Sequence, residues 1–276
     1  MSTLLRRRTR LLAGVLAVGH LAVLVLAAPA LAEPPPEPLA EKDWTFTVTP
    51  YLWLPQIIGE VTTRGRTSEI DTSIWDIFAG GGYGIGLNAR MEAWRKQRWG
   101  FFADGMWMAA GKNSNLNNTL LEFDFMQNVG FVEVGMVGRA FELPLSPKDP
   151  EGASWYIDGL AGARVNIVNV RLDFENFRNF NKTYVWADPF LGGRVGFRFG
   201  PDNRWDAFVR GDVGGFGAGS DEAWNVIGGF AYAFSVRSTN MSFVLAGRAL
   251  SIDYENGSFG YDIITYGPVI GLFFPF

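Results

Sequence analysis

The sequence predicts an all-β fold, an antiparallel up-and-down transmembrane β-barrel of about ten strands, within a range of roughly 8–12. Three observations predict it. The chain ends on a period-two stretch, 259–276, whose residues Ile264, Tyr266, Pro268, Ile270, Leu272, Phe274 and Phe276 form one apolar face closing on an aromatic carboxyl terminus. Charges inside the alternating stretches all fall on the face opposite the apolar one. Tryptophan recurs at the same place in successive strands.

The chain has 276 residues and no cysteine, which excludes a disulfide framework and thiolate metal sites. Residues 1–32 read as a signal peptide. Arg6, Arg7, Arg8 and Arg10 precede the apolar run 11–26, and Ala30-Leu31-Ala32 has the pattern of a cleavage site. Its removal leaves 20 basic against 28 acidic residues, a net charge of −8 that argues against nucleic acid as a partner. The one histidine, His20, lies inside that segment, so His-based triads, general bases and metal sites are excluded from the remainder. No cofactor is expected. Residues 33–43 form a Pro-rich spacer and 44–276 the barrel.

In order, the first strand places Trp44, Phe46, Val48, Pro50, Leu52 and Leu54 on one face and Tyr51 and Trp53 on the other. Residues 55–82 read as the longest connection. It has a hairpin tip at Arg64-Gly65-Arg66, the alternative of an extra hairpin over 57–72, and a short helix from Ser73 to Ala79. That helix is read either as a cover for the lumen mouth or as a rim element. The second strand spans 83–95, a turn at 96–98 follows, and the third begins at Trp99. A polar loop, 111–118, precedes a fourth strand over 119–142.

In the fourth strand the alternation changes phase near Val129, in the fifth after Ile167, and in the ninth near Ala249; each change predicts a β-bulge. Residues 144–153 are a Pro-rich and charged connection, and short turns fall at 201–203 and 237–240. The run Gly211, Gly214, Gly215, Gly217 and Gly219 lacks the lysine of a phosphate loop and reads as a strand-to-loop transition.

The apolar face is expected towards lipid. Trp44, Trp99, Trp155 and Trp205 open the strands of one direction, while Phe141, Phe199, Phe234 and Phe274 end those of the other, with Phe276 last. Together they predict an aromatic girdle at one interface. The inward face carries Arg90, Arg139, Arg164, Arg194, Arg198, Arg210 and Arg248 against Glu92, Asp104, Glu133, Asp158, Asp188, Asp206 and Asp212. Seven charges of each sign in a narrow barrel predict ion pairs and a largely filled lumen, since an unpaired buried charge is costly. The alternative takes Arg194, Arg198 and Arg210 as an anion-selective porin lining.

The stretches TPYLWLP (49–55), RWGFFADG (98–105), RGDVGGFGAGSD (210–221), SIDYE (251–255) and YGPVIGLFFPF (266–276) resemble an uncharacterised family of proteobacterial outer-membrane β-barrel proteins. The resemblance implies the barrel and a location in the bacterial outer membrane, and it brings no catalytic residue. A chain ending in Phe276 resembles the signal read by the barrel-insertion machinery; outer-membrane lipid is the other expected partner. The functional expectation is a non-enzymatic scaffold or narrow passive conduit. Two further classes stand beside it: an enzyme using carboxylates alone, at Asp253 with Glu255 or Asp221 with Glu222, and a soluble periplasmic ligand-binding barrel.

Overall fold

Ten antiparallel strands close into a ring in this computed structural model, which describes residues 43–63, 66–73, 83–114, 123–146, 148–174 and 180–276. The ring runs from β1 (Trp44–Trp53) to β4 (Tyr83–Arg95), then β5 (Trp99–Ser114), β6 (Phe123–Ser146), β7 (Asp149–Phe174) and β8 (Phe180–Phe199). It continues through β9 (Trp205–Gly214), β10 (Glu222–Val236) and β11 (Thr239–Asn256) to β12 (Phe259–Pro275), which pairs back onto β1. Closure removes the free edges that an open sheet would present. The last rung is made by Phe276, whose N–H donates to the Phe46 carbonyl at 2.8 Å and whose carbonyl accepts from the Phe46 N–H at 3.4 Å.

Residues 55–82 are not simply a loop. The alternative hairpin is present as β2 (Gln56–Thr63) and β3 (Arg66–Ser73), paired from Gln56↔Ser73 to Thr63↔Arg66. β2 continues the path of β1 along β12 after an interruption at Leu54-Pro55, where proline supplies no donor. Ser73 ends β3, and the rest of the expected helix lies outside the described residues. The loop expected from Gly111 begins later, because β5 runs on to Ser114. Of residues 144–153, 144–146 belong to β6 and 149–153 to β7.

Tight turns join strands at the end where the ring begins and finishes. Lys96 and Gln97 both have positive φ, 48° and 55°, and the Arg98 N–H donates to the Arg95 carbonyl at 3.0 Å. Two left-handed central residues match the strands' twist in a two-residue hairpin. Pro201–Asn203 forms a 3₁₀ turn, and Arg237 turns β10 into β11 with φ 58°.

The three expected bulges are absent. β6 pairs with β5 without a break from Phe123 to Gly138, β7 with β8 from Ser154 to Leu172, and β11 with β12 from Ser242 to Asn256. What changes along each strand is the surroundings. On β11 the even residues face inward throughout, so Arg248, Leu250, Ile252 and Tyr254 are all buried. Towards the end away from the short turns the interior packs an apolar core, so the apolar positions lie on the inner face there. In sequence, that exchange of polar and apolar faces is indistinguishable from a bulge. The actual register shifts in β6 fall between Arg139 and Phe141 and between Pro144 and Ser146.

Candidate functional site

The exterior is apolar over the strand middles. Val132, Val134 and Met136 on β6 point outward with about half their surface exposed, as do Leu191 and Val195 on β8 and Val209 and Val213 on β9. At the short-turn end the aromatic residues touch in chains. The Trp44 and Trp99 rings meet edge to face at 5.5 Å, Phe197 stacks on Phe199 at 5.3 Å, Phe199 on Trp205 at 6.4 Å, and Trp205 meets Tyr232 at 4.7 Å. Trp155 lies in register with Leu143 and Phe197, Phe234 with Met241, and Phe274 with Val48.

Inside, the charges lie in two tiers because successive inward positions are two residues apart. The middle tier spans the ring. Arg164 donates from Nε to Glu133 at 2.9 Å and from Nη2 to Asp212 at 2.6 Å. Arg210 reaches the other Glu133 oxygen at 2.9 Å and Asp212 at 3.2 Å. Arg248 donates to Asn225 at 2.8 Å, to the Tyr51 hydroxyl at 3.1 Å and to Asp104 at 3.3 Å, while Tyr51 donates to Asp104 at 2.8 Å. Phenyl and indole faces cover these guanidinium groups. Arg248 lies 5.2 Å from the Trp53 ring and 4.8 Å from Phe131, and Arg210 lies 5.1 Å from Phe102.

The second tier lies towards the short-turn end. Arg194 bridges Asp158 at 2.8 Å and Glu92 at 3.3 Å; Arg90 donates to Glu92 at 2.8 Å, and Trp94 Nε1 to the other Glu92 oxygen at 2.7 Å. Arg139 joins Asp158 at 2.7 Å and shares Glu142 with Arg198, which approaches Asp206 at 3.8 Å. Glu142 was not among the inward residues read from the sequence. Simple alternation puts it outside, and the register shift after Arg139 turns it in. Tyr51, Tyr156, Asn166, Ser220 and Asn225 also take part and were missed. Inward parity was the only signal for the four on strands, and parity does not tell a partner from filler; Ser220, in the turn before β10, had none.

Asp188 departs from the expected pattern. It is fully buried, and its Cα partner is Arg164, yet it makes no ion pair among the described residues. Asn166 donates to it at 2.6 Å, the Ser220 N–H at 2.6 Å and the Ser220 hydroxyl at 2.8 Å; Ser220 in turn accepts from Trp186 Nε1 at 2.8 Å. This explains the Gly-rich run. Gly215, Phe216 and Gly217 all have positive φ, and a Cβ on Gly219 would fall 2.3 Å from the Ala187 carbonyl oxygen. The turn can therefore fold in far enough for Ser220 to reach Asp188.

Beyond the middle tier lies an apolar zone of Trp53, Met106, Phe131, Val168, Leu250, Ile252, Tyr261 and Ile263. The gap among them measures about 20 Å³, room for about one water molecule. Further out, Trp186 stacks on Tyr254 at 4.0 Å and Tyr184 on Phe259 at 3.5 Å. On the short-turn side of the middle tier are a cavity of about 190 Å³ and a mouth of about 400 Å³. Glu222 and Asp253 are cross-strand partners at the opposite rim, and the Asp221 N–H donates to the Asp253 carbonyl. Asp221, Glu222, Asp253 and Glu255 line none of these cavities. No cluster of metal-ligating side chains occurs among the described residues.

A closed antiparallel ring with an apolar exterior and charges held inside defines an integral β-barrel of the outer-membrane type. No protein-family model matches the chain, and no curated protein sequence matches it. Among solved structures it is similar to the outer membrane protease OmpT from Escherichia coli, at 9% identity and a TM-score of 0.43, covering 87% of this chain and 99% of that one. It is also similar to Ail of Yersinia pestis, at 12% identity and a TM-score of 0.37, covering 85% and 100%, in a complex with the heparin analogue sucrose octasulfate. Neisserial surface protein A aligns at 10% identity and a TM-score of 0.29, covering 84% and 97%. Likeness at this distance transfers no activity.

Proposed function

We propose that the protein is an integral outer-membrane barrel with a closed lumen, a membrane scaffold that does not conduct. The observation that carries this reading is the sequence of seals along the axis. The middle tier joins residues of β1, β5, β6, β7, β9, β10 and β11, and the apolar zone beyond it leaves about 20 Å³. A hydrated ion passing through would have to displace buried ion pairs and then cross apolar packing, both unfavourable.

An anion-selective lining fits less well. Arg194 and Arg198 are shared among Glu92, Asp158, Glu142 and Asp206, and Arg210 between Glu133 and Asp212, so each guanidinium is already neutralised. The test is recording across planar bilayers with the purified full chain. A silent membrane at stable insertion is expected, and steady conductance steps would overturn the reading.

A further inference from the structure

The two halves of the inner wall differ below the middle tier. From β4, β7, β8 and β9 come Arg90, Glu92, Tyr156, Arg194 and Asp206, side chains long enough to meet across the lumen. From β10, β11 and β12 come Ile227, Ala231, Val244, Val269 and Gly271, which stop short of them. The space left between is the cavity of about 190 Å³. Thr47, Glu92, Tyr156, Arg194, Asp206 and Phe273 line both this cavity and the mouth of about 400 Å³, so the two are continuous. The cavity is thus closed at its inner end by the ion-pair tier and open at the short-turn end of the barrel.

Its lining is amphipathic. A wall that only faces water-filled space gains nothing from isoleucine and valine, and apolar surface turned towards water is unfavourable unless something covers it. Further filler from β10–β12 would have completed a solid core, as Phe131 and Leu250 do further out. The opposite wall supplies charge: Arg194, Arg210 and Arg248 are each held by carboxylates, while Arg90 gives Nε to Glu92 and has no hydrogen-bond partner for Nη1 or Nη2. The volume lies below the roughly 300–1,000 Å³ of drug-sized ligand sites, which restricts the guest to a small molecule.

We infer that this cavity binds a small amphipathic monoanion entering from the short-turn end, a short alkyl chain against Ile227, Ala231 and Val244 with its anionic group towards Arg90. The inference rests on the closed-lumen reading, since a through-channel would have no inner end to hold a guest.

The test is calorimetric titration of the full chain in lipid nanodiscs with hexanoate, hexan-1-ol and hexylammonium, with empty nanodiscs as the reference. Hexanoate is expected to give a saturable heat at one per barrel, and hexylammonium to bind at least about tenfold more weakly, because like charges meet. Ala231→Trp fills the cavity from the apolar wall and should abolish the saturable heat. Val244→Phe, a smaller intrusion from the adjacent strand, should weaken it. Val209→Trp, on the lipid-facing side of β9, should leave it unchanged. Retained heat-modifiable migration on gels identifies the folded variants. Hexanoate heats equal to those of empty nanodiscs, hexylammonium binding as tightly, or undiminished binding in folded Ala231→Trp and Val244→Phe would each overturn the inference. Conduction in planar bilayers would instead defeat the closed-lumen reading, so the two failures are distinguishable.

Discussion

Arg164 on β7 and Glu133 on β6 are direct cross-strand partners, and both side chains are 0% exposed. Both are held further, Arg164 by Asp212 and Glu133 by Arg210 and Arg248. Removing one member leaves the other fully buried with part of its charge uncompensated. Arg164→Ala or Glu133→Ala should each cost about 3–5 kcal/mol, and Arg164→Met with Glu133→Leu should cost clearly less than the sum. Urea unfolding of the barrel in lipid vesicles measures both.

Conduction should require two changes. Arg248→Ser with Asp104→Ser removes part of the ionic tier but leaves Trp53 and Phe131 above it. Phe131→Ala alone leaves the ion pairs in place. Planar bilayers should stay silent with either set and show conductance steps when the sets are combined.

The exterior can be tested by depth. Val134 lies within the outward apolar run of β6, and Val134→Arg should destabilise the inserted barrel by about 2–4 kcal/mol. Ser251→Arg, outward on β11 beyond the lipid-facing band, should cost less than about 1 kcal/mol. Equal penalties in vesicle unfolding would contradict the assignment of lipid to the first face.

Asp188 offers a different kind of test, because its partners are neutral. Ser220→Ala removes the hydroxyl that joins Trp186 to Asp188 but keeps the backbone N–H bond, for an expected loss of about 1 kcal/mol. Asp188→Ala orphans the Ser220 N–H and the Asn166 amide together and should cost about 2–4 kcal/mol. Proteolysis within 215–221 should be faster in the second variant, since the turn loses its anchor.

Deleting Phe276 removes both hydrogen bonds of the last rung, those it makes with Phe46. Assembly into outer membranes should fall, measured as the fraction of chain recovered in heat-modifiable form. The variant Phe276→Tyr, which keeps the rung and an aromatic ring, should restore it.

The sequence by itself determined the antiparallel barrel and the outward face of its strands in the lipid-facing band. A lipid boundary penalises every charge placed on the wrong face, so alternation from Trp99 to Trp107 or from Val185 to Phe197 carries that information locally. Only the tertiary structure decided which charge meets which. Arg164 bypasses its Cα partner Asp188 on β8 for its other partner, Glu133 on β6, and for Asp212 on β9, which comes within reach only across the lumen. The same limit explains the misread bulges. At Leu250 and Val129 polar and apolar positions exchange because the inner wall turns apolar there while the register continues, and a residue string records the exchange but not which face lies inside. The cavity against β10–β12 was hidden for the same physical reason: empty space is a difference in reach between opposing side chains, and it exists only once the ring has closed.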